Sequence, residues 1–233
     1  MRTIARFAVP LLGALLAACS GPGSTASPPN PTKILRDAGQ ATSALKSVAA
    51  DVKFGGAKIL VQGLTLKSAT SRVRVPGDSD TTFEVDQGGF QIALRVITTG
   101  GRVFVRLPFS PFVELTGQQA QDIPDVSQLF NARSGLPALL QAGRNPTYQG
   151  TEEVGSTDCD RVGATYTADQ VGQLLGGRLA PQGDVHATVW VGRSDHLVRK
   201  TVLSGKFTSS GQSQVEVDLH DFNRPMAITA PTT

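Results

Sequence analysis

Residues 88–106 read Gly-Gly-Phe-Gln-Ile-Ala-Leu-Arg-Val-Ile-Thr-Thr-Gly-Gly-Arg-Val-Phe-Val-Arg. Phe90, Ile92, Leu94 and Val96 alternate with Gln91, Ala93 and Arg95, the period of two that puts one set of side chains on one face of a strand. Paired glycines at 88–89 and 100–101 bound the run, and such pairs suit two-residue hairpin turns. After the second pair the alternation resumes with Val103, Val105 and Leu107, up to Pro108. A strand between two tight turns, followed by another strand, predicts an antiparallel meander.

Working outward, the same pattern recurs upstream. Val48, Ala50, Val52 and Phe54 alternate with Ala49, Asp51 and Lys53 before Gly55-Gly56. Short runs follow at Ile59/Val61, Leu64/Leu66 and Val73/Val75, the last closed by Pro76-Gly77-Asp78, and then Phe83/Val85. Before the first strand, Ile34, Leu35, Ala38, Ala41, Leu45 and Val48 form one helical stripe, and Thr32 is placed to cap it. The middle changes character: Pro124-Asp125 opens a short helix with Val126, Leu129 and Phe130, and a second begins at Gly135-Leu136-Pro137 with Leu136, Leu139 and Leu140. Strands are predicted at Thr147–Val154 and Cys159–Tyr166. A capping box at Thr167-Ala168-Asp169-Gln170 then opens a helix with Val171, Leu174 and Leu175, stopped by Gly176-Gly177. Three closing strands lie around Val185–Val191, Leu197–Leu203 and Val215–Leu219. No change of composition divides this stretch, so residues 33–233 read as one domain.

The N-terminus is of a different kind. Arg2 and Arg6 precede an apolar stretch, Phe7 to Ala18, too short to cross a hydrocarbon core that needs about 20 residues. Residues 1–18 therefore read as a signal peptide, and Leu16-Ala17-Ala18-Cys19 resembles a bacterial lipobox, in which the cysteine becomes the acylated first residue of the exported chain. Residues 19–32 join this anchor to the domain through a Pro/Gly/Ser-rich linker. The location expected is the cell membrane, with the protein lipid-anchored on the outer face of the inner membrane or in the cell wall.

Composition narrows the function. With 39% hydrophobic and 18% charged residues, the 233-residue chain is not intrinsically disordered. Its net charge of +3 falls to +1 without residues 1–18, so net charge gives no support to a nucleic-acid partner. The sequence carries no nucleophile elbow, P-loop, dinucleotide fingerprint or His-Glu-x-x-His, and no cofactor is expected. His186, His196 and His220 are far apart, and Cys159 lies between Asp158 and Asp160, whose charges raise a thiol pKa. The reading is non-enzymatic, with no metal and no catalytic residues.

Several segments, in order, resemble the LprG/LprA/LppX family of mycobacterial and actinobacterial lipoproteins. They are Ala44-Leu45-Lys46-Ser47, Gly135-Leu136-Pro137-Ala138-Leu139-Leu140, Gly150-Thr151-Glu152-Glu153-Val154 and Ala187-Thr188-Val189-Trp190-Val191. His196-Leu197-Val198 and Asn223-Arg224-Pro225, ahead of Ile228-Thr229-Ala230-Pro231, complete the set. Phe112 and Phe222 stand where the family often has Trp, and 58–63 lacks its usual proline-bearing turn. The resemblance implies an α+β fold: a curved antiparallel half-barrel sheet, LolA/LolB-like, with helices on the concave face enclosing an apolar cavity. It also implies binding of acylated lipids or glycolipids and their carriage across the envelope, supplied by a major-facilitator exporter. On this reading the cavity wall is formed by Val52, Phe54, Phe83, Val85, Phe90, Ile92, Leu94, Val96, Val103 and Val105, with Leu129, Leu136, Leu139, Leu140, Leu174 and Val189. By pattern alone the same rows serve equally as a filled core, which would leave an envelope adaptor with no lipid ligand.

Overall fold

The linker turns into the first helix at Asn30, whose side chain accepts a hydrogen bond from the Lys33 N–H at 3.1 Å, with Pro31 in the first turn. The cap is thus Asn30 and not Thr32: a proline at the first helical position gives up no useful donor, and the Asn30 side chain before it satisfies the Lys33 N–H at the third. The coordinates are a computed structural model that describes residues 27–61, 63–123, 125–174, 181–208 and 211–232. The signal-like segment, Cys19, the first part of the linker and the Gly176-Gly177 helix stop lie outside the described residues.

α1 (Pro31–Ser43) leads to twelve strands joined in one antiparallel sheet. They are β1 (Ser47–Gly56), β2 (Leu60–Val61), β3 (Leu64–Arg74), β4 (Asp78–Gln87), β5 (Phe90–Thr99), β6 (Arg102–Arg106), β7 (Val113–Leu115), β8 (Arg144–Val154), β9 (Thr157–Tyr166), β10 (Val185–Gly192), β11 (Val198–Thr208) and β12 (Gly211–His220). The spatial order is β7-β6-β5-β4-β3-β1-β12-β11-β10-β9-β8, with β2 paired to β3 alone, so the curved sheet is open at β7 and β8. β1 and β12 pair at its centre, Ala50 opposite Leu219 and Val52 opposite Val217. Both glycine pairs make the hairpins expected of them: φ is 62° and 94° at Gly88-Gly89, and 57° and 76° at Gly100-Gly101. Positive φ at both central residues matches the right-handed twist of the strands they join.

β3 is one strand where two runs were expected. Ser71 occupies an inward position, and its hydroxyl pairs with Thr81 Oγ1 at 2.8 Å, so a polar residue interrupts the apolar alternation without ending the strand. β7 and α2 (Gly117–Gln121) carry no sequence signal of their own, being three and five residues long.

The remaining helices are a 3-10 turn at Val126–Phe130, α3 (Leu136–Gln141) and α4 (Ala168–Leu174). With α1 they lie on one face of the sheet. Leu35, Ala38, Phe130, Leu139, Leu140 and Val171 pack there against Val48, Val73, Val162, Val185 and Val189 in a single apolar cluster. α1 crosses α3 so closely that a Cβ on Gly39 would sit 2.7 Å from the Pro137 carbonyl. The capping box forms as read: Gln170 N donates to Thr167 Oγ1 at 3.2 Å, and Thr167 N donates to Gln170 Oε1 at 2.8 Å. No helix among the described residues is long and apolar enough to cross a membrane.

A second cluster lies on the opposite, convex face. Ile97 and Phe104 face each other across β5 and β6, and Ile228 from the C-terminal extension packs on them beside Phe112. These positions alternate with the inward Val96 and Val105, so both faces of this part of the sheet carry apolar residues.

Candidate functional site

Register decides which side chains share the helix-bearing, concave face. Val52, Ala69, Phe83 and Leu94 lie in one row across β1, β3, β4 and β5. Leu66, Val85 and Ile92 form the next row, and Ser71, Thr81, Val96, Val105 and Val113 another. Phe54 faces the same way opposite Val215, Phe90 opposite Gln87, and Val103 opposite Thr98 and Leu115. Val189 of β10 belongs to this face through Thr201 and Val217. All ten wall residues from β1 and β4–β6 therefore share a face with Val189.

The residues divide by environment. Val52, Phe54, Leu129, Leu136, Leu139, Leu140, Leu174 and Val189 belong to the packed cluster beneath the helices. Phe83, Val85, Phe90, Ile92, Leu94, Val96, Val103 and Val105 belong to neither apolar cluster among the described residues. Along β5 their exposure rises from 3% at Val96, through half-buried Leu94 and Ile92, to 76% at Phe90. The β4–β6 half is thus an apolar wall that grades from covered to open, with Phe90 at its rim. The 3-10 turn at Val126–Phe130 packs over β3 and β4, where Val85 is almost wholly buried, and β5 and β6 beyond it face the same space with little helix packing.

One feature of this face was not legible beforehand. Ser71, Ser79, Thr81 and Thr98 are all buried on it, Ser79 directly opposite Thr98 and Ser71 opposite Thr81. A serine or threonine on a strand reads as a break in the apolar alternation or as an outward-facing residue, so the sequence does not announce that these four are covered. These four make the covered end of the wall polar.

The convex face is charged. Asp80 accepts from Arg72 Nη2 at 2.5 Å and from Arg95 Nε and Nη2, both at 2.8 Å. Burial alone would lift its carboxyl, but the two guanidinium groups outweigh that and hold it below the usual carboxylate range. A depression of about 330 Å³ on that face is lined by Asp51, Arg72, Asp80, Arg95 and His220 among others. Its arginines are already engaged with Asp80. Arg95 and Arg106 also lie over the Phe112 ring, at 5.8 and 4.8 Å from its centroid. Cys159 is fully buried in β9, and burial, more than the neighbouring Asp195 and Asp158 charges, raises its thiol pKa. The described residues contain no group of three or more His, Cys, Asp or Glu placed to hold a metal.

The sequence profile of the LppX_LprAFG lipoproteins matches residues 30–228, which takes in the central strands, the apolar wall and the helices that face it. The chain belongs to that family. Over 99% of both chains it is 26% identical to the lipoarabinomannan carrier protein LprG of Mycolicibacterium smegmatis. The fold is that of LprF from Mycobacterium bovis (TM-score 0.72, 19% identity, 87% of this chain and 97% of that one). It is also that of LppX from Mycobacterium tuberculosis (TM-score 0.60, 23% identity, 85% and 97%). Family membership makes the protein a relative of envelope lipoproteins, a class consistent with lipid binding and not known for catalysis.

Proposed function

We propose that this lipoprotein binds acylated lipids or glycolipids against the β4–β6 wall and carries them across the cell envelope. The observation that carries the reading is the contrast between the two halves of one concave face: one is packed beneath helices, the other is apolar and graded in exposure from Val96 to Phe90. A row of partly exposed apolar side chains costs free energy in water, and an acyl chain laid against it recovers about 0.8 kcal/mol per buried methylene. Such recognition needs no catalytic group. The name of the Mycolicibacterium smegmatis relative, a carrier of lipoarabinomannan, supports a glycolipid as cargo. Cys19 would carry the acyl anchor that holds the domain at the outer face of the inner membrane, where an exporter of the major-facilitator class can supply the cargo.

Mass spectrometry of protein purified gently from a native host is expected to find acylated lipid in near-stoichiometric amount. Repeated absence of lipid would overturn the carrier reading. On the same material Cys19→Ala is expected to abolish partitioning of the mature chain into the detergent phase, and unchanged partitioning would refute the anchor.

A further inference from the structure

Among the described residues the exposed large hydrophobics are Leu60, Phe90, Leu107, Phe109 and Val113, and the register gathers them at one end of the sheet. Leu60 pairs with Thr65, Thr65 with Asp86 and Asp86 with Gln91, so Leu60 and Phe90 lie near one transverse row. β6 runs toward that row, and the turn leaving Arg106, in which Ser110 N–H donates to the Leu107 carbonyl at 3.3 Å, carries Leu107 and Phe109 toward it before returning at Val113. Phe109 is wholly exposed and holds φ at 61°, a left-handed backbone that a bulky side chain rarely adopts. Nothing among the described residues covers it, so no contact among them accounts for an aromatic residue held there.

The charges point to the occupant. Of the described lysines and arginines, Lys46, Lys58, Lys67, Arg106, Arg133 and Lys206 have no carboxylate within ion-pair distance. Four of these six are at the same end. Lys67 sits in the bulge beside Leu66, and Lys58 in the turn before Leu60. Arg106 closes β6, and Lys206 follows Gly205, which pairs with Ser213 opposite Gly56. The acids there include Glu84, Asp86 and Asp184; Asp86 is engaged with the Gly89 N–H at 3.3 Å, and Asp184, beside Lys206, with Arg144 at 2.8 Å. Apolar tips on separate loops, ringed by cations without a carboxylate partner, suit a fluid anionic surface better than a shaped protein groove.

We infer that this end of the sheet docks on an anionic lipid bilayer, with Leu107 and Phe109 entering the headgroup–acyl boundary. Phe90 then stands where the open end of the apolar wall meets the membrane. The inference goes beyond the carrier reading and holds whatever the wall binds.

The test uses the full chain carrying either Phe109→Trp or Arg224→Trp, bound to vesicles whose phosphatidylglycerol is brominated along the acyl chain. Arg224 lies at the far end, its carbonyl held by Ser47 Oγ at the start of β1, and Trp190 is common to both proteins. Emission is expected to fall at least about twofold further for Phe109→Trp, because only that loop reaches acyl depth. Changing Lys58, Lys67, Arg106 and Lys206 to Gln is expected to weaken the vesicle contact about fivefold per charge. Equal quenching of the two variants, or no preference for phosphatidylglycerol over phosphatidylcholine, would overturn the inference. Lipid copurifying with the same preparations reads the carrier function separately, so either can fail without the other.

Discussion

A tryptophan placed at Leu94 separates an open wall from a filled core. Leu94 lies on the concave face opposite Phe83, is half-buried, and belongs to neither apolar cluster. Val189 shares that face but is 1% exposed within the cluster beneath the helices. Val189→Trp forces an indole into close-packed space, at a cost of about 1–3 kcal/mol. For a domain of this size that is a Tm lower by roughly 2–12 °C. Leu94→Trp has room, and its cost should stay near the ~0.5 kcal/mol of an unpacked position, or within about 2 °C. The same indole occupies wall that an acyl chain would cover. Displacing two or three methylenes at ~0.8 kcal/mol each weakens lipid binding by more than about tenfold. Thermal unfolding and lipid extraction, on both variants and the wild type, give the four numbers required. A Leu94→Trp protein destabilised as much as Val189→Trp would show that the wall is packed. A stable Leu94→Trp protein with undiminished lipid would show that the ligand, if any, lies elsewhere.

Phe104→Ala is expected to cost about 3–5 kcal/mol despite facing away from the helices, because Phe104 is fully buried between Ile97 and Ile228. Chemical denaturation measures it, and a cost below about 1 kcal/mol would mean the C-terminal extension is not seated on the convex face. Asp80 has a folded pKa below its unfolded value, so its contribution is present above the unfolded ~3.9 and is lost as pH falls through the folded value. The Tm gap between wild type and Asp80→Asn should therefore be widest near neutrality and narrow below about pH 4; a gap constant down to pH 3 would refute this.

How much of this was legible depended on how local the cause was. The hairpins at Gly88-Gly89 and Gly100-Gly101, and the Thr167/Gln170 box, rest on adjacent residues, and the sequence signals them directly. The alternation in β5 correctly placed Phe90, Ile92, Leu94 and Val96 on one face. It could not say that Val96 would be covered and Phe90 left bare, since that depends on elements far along the chain. The inward Ser71 broke the apolar pattern of β3 and made it read as two strands, and Ser79, Thr81 and Thr98 hid the inward face of β4 and β5 in the same way. Ile97 and Phe104 were hidden for the opposite reason: they occupy positions read as outward-facing, and the residue that buries them, Ile228, lies more than a hundred residues away.

That convex cluster bears on how the wall can stay open. β8–β10 are covered on the concave side by α1, and β3 and β4 by the 3-10 turn at Val126–Phe130, but β5–β7 have little helix packing on that side. Leaving an apolar face unfilled forgoes the burial that normally holds a sheet together, at ~25 cal/mol per Å². Here the stabilisation is moved to the other face. Ile97, Phe104 and Ile228 are almost wholly buried there, Phe112 lies beneath Arg95 and Arg106, and Asp80 ties Arg72 to Arg95 across β3, β4 and β5. Arg102 holds Glu114, which joins β6 to the edge strand β7. Strands braced from behind can keep an apolar front uncovered, as a reversible binder of acyl chains requires.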